Sequence, residues 1–563
     1  MITIGGTVGA GFYVRSGTVL RVGGPGAVLI AFTAMGLLAW MVMQCIGELL
    51  TLWPISGALV EFVAKFVDED LGIAVGIAYW FTYSISFAAL IVAAAGVLDF
   101  WDPGKAIQGT IMFFVVPLFL VLLNSFGVHI YGLTEVVGGL LKILGVFIVI
   151  VCMITINLGA GENGHIGTTN YKHHPIFPFD GVAAANWPTA LFNAFSIAAF
   201  AYVGVDITAA TALEARPDRR RSSSGEAEST GLKGPWPYIS VRFVATWTAF
   251  LVWIIYFIGG FLLSLNVNWD DPNLPELSWL GSPVAEASSD DRDKINSDSG
   301  YVISAAISKI PGLPDMFSAV IFITMVFSAN TNLYVASRML FGLTRRLPEE
   351  RMFSFFGRTN NYQVPVRAML LSCFFMWVPF LYLSRNNSPD TTTSSLLEVL
   401  SQMGSVSCII VWACECWAFI RFYNCMYLHR DALNASELTR LRRFPKHGVE
   451  DHYPWRSHGQ PVTMYLALFG CLFVLTVADG ASLWHTWVGP RFLSAYLSVL
   501  CFIPLWLGIK YYNDRIAIWK LEDLSNFVTV QKKLDELNQI RDLATWEDKD
   551  PQKPGWGNLW GFM

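Results

Sequence analysis

Apolar runs of about twenty residues return along the whole chain, and a bilayer core needs about that many per helix. Read by that rule, the sequence predicts about twelve transmembrane spans: 1–20, 26–51, 72–99, 110–129, 133–158, 187–213, 238–266, 302–344, 365–384, 394–421, 461–487 and 491–512. The run at 302–344 exceeds one crossing, so "SKIPGLPDMF" (308–317) is expected to separate a short surface helix from the span proper. Only 14% of the residues are charged and 54% are hydrophobic, whereas soluble domains average roughly 25% charged. In hydrocarbon each backbone polar group needs an internal partner, which a helix supplies along its length. The predicted fold class is therefore an all-α polytopic membrane protein.

A net charge of −5 argues against nucleic acid as a partner. The nine cysteines fall mostly inside apolar runs and form no metal-ligand spacing, the "CEC" at 414–416 included. His173 and His174 have no further ligands near them, so no metal site is expected. The first apolar stretch lacks the basic flank and the cleavage site of a signal peptide.

Basic residues set orientation. The segments 214–238, 345–364 and 421–460 are rich in arginine, and twelve crossings put all three on one side. The opposite side carries the acidic segment 267–300. Both termini are thus expected in the cytoplasm, with the Asn434-Ala435-Ser436 sequon unglycosylated. The segment 219–235 reads as a solvated Ser/Gly-rich linker. The region from 513 onward begins with helical periodicity. The domain division is 1–515 for the membrane part and 516–563 for a cytoplasmic tail.

Two spans contradict their own helical pattern. "TIGGTVGAGFYVRSG" (3–17) places Gly5, Gly6, Gly9 and Gly11 inside the first span, and "FSIAAFAYVGVDITAATALEARPD" (195–218) carries Gly204 in mid-span, with Asp206 following. Each glycine costs a helix about 1 kcal/mol relative to alanine. A pair of glycine-interrupted spans, five helices apart, is the sequence pointer to an inverted-repeat transporter with its site at the midplane. The physics is direct. A break exposes amides that attract a carboxylate and carbonyls that attract an ammonium group, so the pair suits a zwitterion. Close helix packing is the competing use of such glycines.

"MITIGGTVGAGFYVRSG" resembles the first span of fungal amino acid permeases, within the amino acid–polyamine–organocation superfamily. The similarity continues through 41–80, 122–150, 200–218 and 327–343, and covers most of residues 1–515. The resemblance implies a five-plus-five inverted repeat followed by two further spans, and import of amino acids by proton symport. It places the substrate carboxylate at the amides of Val8, Gly9, Ala10 and Gly11. The ammonium group then faces carbonyls of the first break and of Phe200, Ala201, Tyr202 and Val203, with Phe200 or Tyr202 as an aromatic lid. Family members carry Gly-Thr-Glu where this chain has Gly204-Val205-Asp206, so the carboxylate here is one methylene shorter. They also have a further helical turn and a tail before the position of Met1, so the chain is expected to be incomplete at its start.

Ionisable residues within spans are functional hypotheses by default. Lys142 matches the lysine that carries the proton in family members without sodium coupling, and a permanent structural bond to carbonyls of the first span is the competing role. Asp206 and Glu48 are the candidate acids beside it for proton coupling. Glu415 has no counterpart in the family pattern, and Asp479, outside the ten-helix core, reads as structural. The expected partners are an amino acid and membrane lipid, with the proton as coupling ion and no cofactor. No nucleophile–base arrangement is present, so an enzyme is not expected. The expected location is a plasma membrane. An amino-acid-binding nutrient receptor is the alternative of another class, for which the tail is short. A cation–chloride cotransporter shares the fold but usually has a large soluble C-terminal domain.

Overall fold

The computed structural model describes residues 2–55, 57–101, 104–162, 164–211, 238–277, 295, 297–345, 352–360, 364–374, 393–436, 438–447, 452–484, 487, 489–513 and 521–547. Every regular element among them is helical. Among the described residues, nine helices are long and apolar enough to cross a bilayer, and Val462–Ala478 is a shorter apolar one. The linker at 219–235, most of the acidic run 278–294 and the second half of the predicted span 365–384 lie outside the described residues.

The count falls below twelve for identifiable reasons. The first span is interrupted, leaving Ile2–Thr7 and Ala10–Tyr13 as separate pieces. The runs read as 1–20 and 26–51 are joined, because Arg15–Leu52 forms one helix with a kink at Gly24 (φ 70°) before Pro25. Proline lacks the amide that the helix would need there, and Gly26 N–H instead donates to Ile176 O at 2.8 Å. The segment expected as a short surface helix is Gly300–Ile307, and it is buried, with Tyr301, Val302 and Ile303 wholly covered. Its apolar residues close over the first span, so the surface reading is corrected. The tail helix is Phe527–Glu547, starting later than the periodicity from 513 suggested.

At the centre, Glu69–Leu98 packs against both Leu313–Arg345 and Thr393–Leu428, while Tyr238–Asn266 and Trp187–Ala199 pack on Arg15–Leu52. By contrast, Val128–Asn157 turns Leu133, Val137, Leu140, Leu144, Phe147 and Val151 outward. Those positions recur at helical spacing and form a lipid-facing stripe. Glu135 and Lys142, two turns apart on the same helix, are 1% and 2% exposed on its inner side.

The face that carries 421–460 (the basic face) is built from loops tied to helix ends. Asp68 caps Glu69–Leu98 by accepting from Leu71 N–H, and also takes bonds from Lys510 Nζ (2.9 Å) and Trp506 Nε1 (2.8 Å). The tail helix docks on this face through Val530, Leu534 and Leu537. Trp53 Nε1 donates to Asn538 (3.0 Å), and Lys65 pairs with Glu536 (2.7 Å). On the same face, fully buried Glu48 accepts from Arg443 Nε (2.6 Å) and Nη2 (3.1 Å), Tyr453 Oη (2.6 Å), and Ser457 N–H (2.8 Å) and Oγ (2.7 Å). Burial, reinforced by the Glu48 charge, pushes the Tyr453 phenol well above its usual range, so it stays a donor. Asp479 accepts from Gln402 Nε2 (2.8 Å), whose oxygen takes bonds from Ser196 (2.9 Å) and Arg491 (3.3 Å). That cluster ties the last two apolar helices to the core.

Candidate functional site

The first interruption falls at Val8-Gly9. Gly9 is extended (φ −166°, ψ −138°), and the helix resumes at Ala10, with Phe12 and Tyr13 N–H donating to Gly9 O (3.1 and 3.3 Å). The amides at such a restart have no partner within the helix. The second interruption follows Trp187–Ala199. A single 3-10 turn spans Phe200–Tyr202, Gly204 takes φ +112°, and Ile207–Thr211 begins a new helix. Left-handed backbone of this kind is cheap only for glycine.

The two interruptions touch. A Cβ on Gly11 would overlap the Cα of Ala201, and one on Gly204 would sit 3.2 Å from both the carbonyl carbon and oxygen of Gly6. The glycines therefore do two things at once, letting each helix break and letting the breaks cross. At the crossing, Gly6, Thr7, Gly9, Ala10, Gly11, Ser86, Leu90, Phe200, Val203 and Asn332 line a small cavity.

Freed carbonyls are met by side chains from other helices. Tyr256 Oη lies 2.9 Å from Thr7 O and 2.8 Å from Ala201 O, one on each break. A hydroxyl has one proton to donate, so these carbonyls share it and retain acceptor capacity. Ser328 Oγ is 2.9 Å from Val8 O, and Lys142 Nζ donates to Gly5 O. Beside the same glycine, Glu135 accepts from Thr331 Oγ1 at 3.0 and 2.9 Å.

The sequence-named residues divide accordingly. Gly9, Ala10, Gly11, Phe200 and Val203 line the cavity. Val8 contributes its carbonyl, Ala201 its close contact with Gly11, and Gly204 the turn. Of the two lid candidates, Phe200 faces the cavity. Tyr202 turns away, donating to Phe32 O (2.6 Å) and packing edge-on against Tyr256. Asp206 is fully buried next to the second break; its Oδ1 accepts from Tyr83 (2.8 Å), and its carbonyl from Tyr79 (3.3 Å). Lys142 reaches the first break, whereas Glu48 belongs to the basic-face cluster. Tyr256, Ser328, Asn332 and Glu135 were missed. A polar group in mid-span was the available signal, most plainly in the "SANTN" of 328–332.

A match to the family "Amino acid permease" runs through residues 1–221 and 243–522. The chain belongs to the amino acid permease family. This permease is similar to the lysine/arginine permease of Candida albicans, at 26% identity over 569 residues, covering 100% of this chain and 88% of the relative. The lysine-specific permease of Saccharomyces cerevisiae is 26% identical over 571 residues, covering 100% and 81%. The general amino-acid permease of the same yeast is 26% identical over 570 residues, covering 100% and 84%. Membership carries amino acid transport across a membrane as the activity, and the permease is a multi-pass transporter, not an enzyme.

Proposed function

We propose that this permease imports amino acids across a fungal plasma membrane by proton symport and alternating access, with the substrate held where the two breaks cross. The contact of Gly11 with Ala201 and of Gly204 with Gly6 carries this reading, because it brings open amides and open carbonyls to one cavity. The substrate carboxylate binds the amides of Gly9 to Gly11. Its ammonium group binds the carbonyls that share the Tyr256 proton. Phe200 covers the bound molecule. Among the described residues the lining carries no charged side chain, which favours a neutral amino acid over the lysine and arginine in the relatives' names.

In this reading the chain is a five-plus-five inverted repeat with two further helices, the breaks occupying corresponding positions in spans 1 and 6. Its basic face lies in the cytosol. In support, the Asn434 amide donates to Arg430 O (2.8 Å) and Phe444 O (3.0 Å) and is engaged within the protein. Lys142 carries the coupled proton: its ammonium group, bonded to Gly5 O, holds the first break together when protonated and releases it when neutral. One charge crossing 100 mV is worth about 2.3 kcal/mol, enough to drive uphill import.

Purified permease in proteoliposomes tests this. Labelled amino acids, assayed one by one under an inward acid gradient, should accumulate above the external concentration, and a protonophore should abolish the excess. Competition by all twenty then reads the side-chain class. Equilibration without accumulation would remove symport from the account.

A further inference from the structure

Glu415 lies in the middle of Thr393–Leu428, wholly buried, and neither carboxyl oxygen has a hydrogen-bond partner among the described residues. It stands on the basic-face side of the substrate cavity. Gly404 of the same helix sits beside Ser86 and Phe200, at the level of that cavity. Eleven residues on, Glu415 is about 16 Å further along the helix at 1.5 Å per residue. Trp412, one turn before Glu415 on the same helix, approaches Asp206, which places the Asp206 carboxyl, like Cys45, within electrostatic reach of Glu415. Asp206 is itself half-partnered: Oδ1 accepts from Tyr83, while Oδ2 and the Trp412 Nε1 near it lack a hydrogen bond of normal geometry.

Ala58–Phe66 and Gly489–Asn513 also pack on Thr393–Leu428. Their cations are engaged elsewhere, Lys65 with Glu536, Lys510 with Asp68 and Arg491 with Gln402, and the buried acid Glu61 adds a further titratable group. The groups nearest the pair among the described residues are these. Cys45 comes from Arg15–Leu52, Tyr79 and Tyr83 from Glu69–Leu98, and Cys471 from Val462–Phe473, with Cys408, Cys414 and Cys416 on the same helix. None is a cation. An ionised carboxylate without donor or counter-charge is costly to bury, and the negative charge of one neighbouring carboxylate disfavours that of another. A proton on Glu415 satisfies both constraints.

From Cys45 a line of polar groups continues to the basic face. Gln460 Nε2 approaches Cys45 Sγ (4.0 Å) and donates to Ser457 Oγ (3.0 Å), which in turn donates to Glu48. We infer that Asp206 and Glu415 are successive proton stations that form the exit step of the symport, passing a proton from the level of the substrate toward the basic face. This rests on the symport reading above. In the step, the O–H bond of Glu415 breaks as one forms on water entering from that face. The proton of Asp206 then moves to Glu415, and the proton that enters with the next substrate restores Asp206, so that one proton is taken up and one released in each cycle.

Glu415→Gln tests this, since the amide keeps the shape and neutrality but holds no exchangeable acid. With the labelled amino acid that the competition screen selects, wild type and variant should exchange internal for external substrate alike. Proton-driven accumulation should be lost in the variant, and Glu415→Asp should restore part of it. Infrared difference spectra of the wild type between acid and alkaline buffer should show a protonated carboxyl band that shifts in Glu415→Asp and is absent in Glu415→Gln. A Glu415→Gln protein that accumulates substrate with the wild-type pH profile overturns the inference and leaves symport standing. A carboxyl band unaltered in both variants overturns it as well, even if transport by the variants cannot be measured. Wild-type uptake without proton entry overturns the symport reading and this inference together.

Discussion

Two glutamates are equally buried in this permease and are treated in opposite ways. Glu48 is held by Arg443, Tyr453 and Ser457, so each oxygen accepts more than one bond. Glu415 is held by none among the described residues. A buried charge with every partner in place fixes geometry, and removing one partner leaves the other stranded. An unpartnered acid contributes little to geometry but is free to gain and lose a proton. The same division separates the well-tied basic face from the proposed substrate site, where Tyr256 offers one proton to two carbonyls.

The comparison breaks most sharply on stability. Glu48→Gln should cost about 3–5 kcal/mol, the usual penalty for breaking a buried ion pair, and should lower the yield and unfolding temperature of detergent-solubilised protein. Glu415→Gln removes no partner and should leave both near wild type. Equal losses in the two variants would erase the distinction.

Tyr256→Phe should have the next largest effect. Two buried carbonyls then lose their donor, at about 1–3 kcal/mol for an unsatisfied group. The unfolding temperature of the substrate-free protein should fall, and bound amino acid, whose ammonium group meets the freed carbonyls, should restore part of it, as read by thermal unfolding with and without ligand. Lys142→Arg should bind substrate but fail to accumulate it under an acid gradient, because guanidinium stays protonated. Accumulation that persists in this variant would shift coupling to Asp206.

The smallest effect concerns the tail. The Lys65 hydrogen bond holds the half-exposed Glu536 carboxyl below its usual range. A carboxylate depressed in the folded state stabilises the contact above its unfolded pKa, and that contribution is lost as pH falls through the folded value. Tryptic cleavage near Lys532 and Lys533 should therefore quicken modestly in mild acid, and Glu536→Gln should remove the pH dependence.

The glycines and the apolar runs made much of this legible before any coordinates. Gly204 marks the second interruption by its left-handed backbone and Gly11 the crossing by its close approach to Ala201, and the stripe from Leu133 to Val151 is plain from period and polarity. Partners across the fold were not legible. Nothing local to Glu48 says that Arg443, almost four hundred positions later, will neutralise it. Nor does Tyr202 differ from Phe200 in sequence terms, although one faces the cavity and the other donates to Phe32. Tyr256 is not legible in the sequence because an aromatic in a span is ordinary, and only the crossing of two broken helices gives its hydroxyl a task.

That crossing is the centre of the account, and equilibrium binding to a Gly11→Val permease tests it most directly. A β-branched side chain there meets the Ala201 backbone and also stiffens the restart of the helix. Using the amino acid chosen by competition, wild type should bind saturably. Gly11→Val should bind nothing measurable while retaining the circular dichroism and size-exclusion profile of a folded protein. A folded Gly11→Val protein with wild-type affinity would place the substrate elsewhere and contradict the broken-helix site.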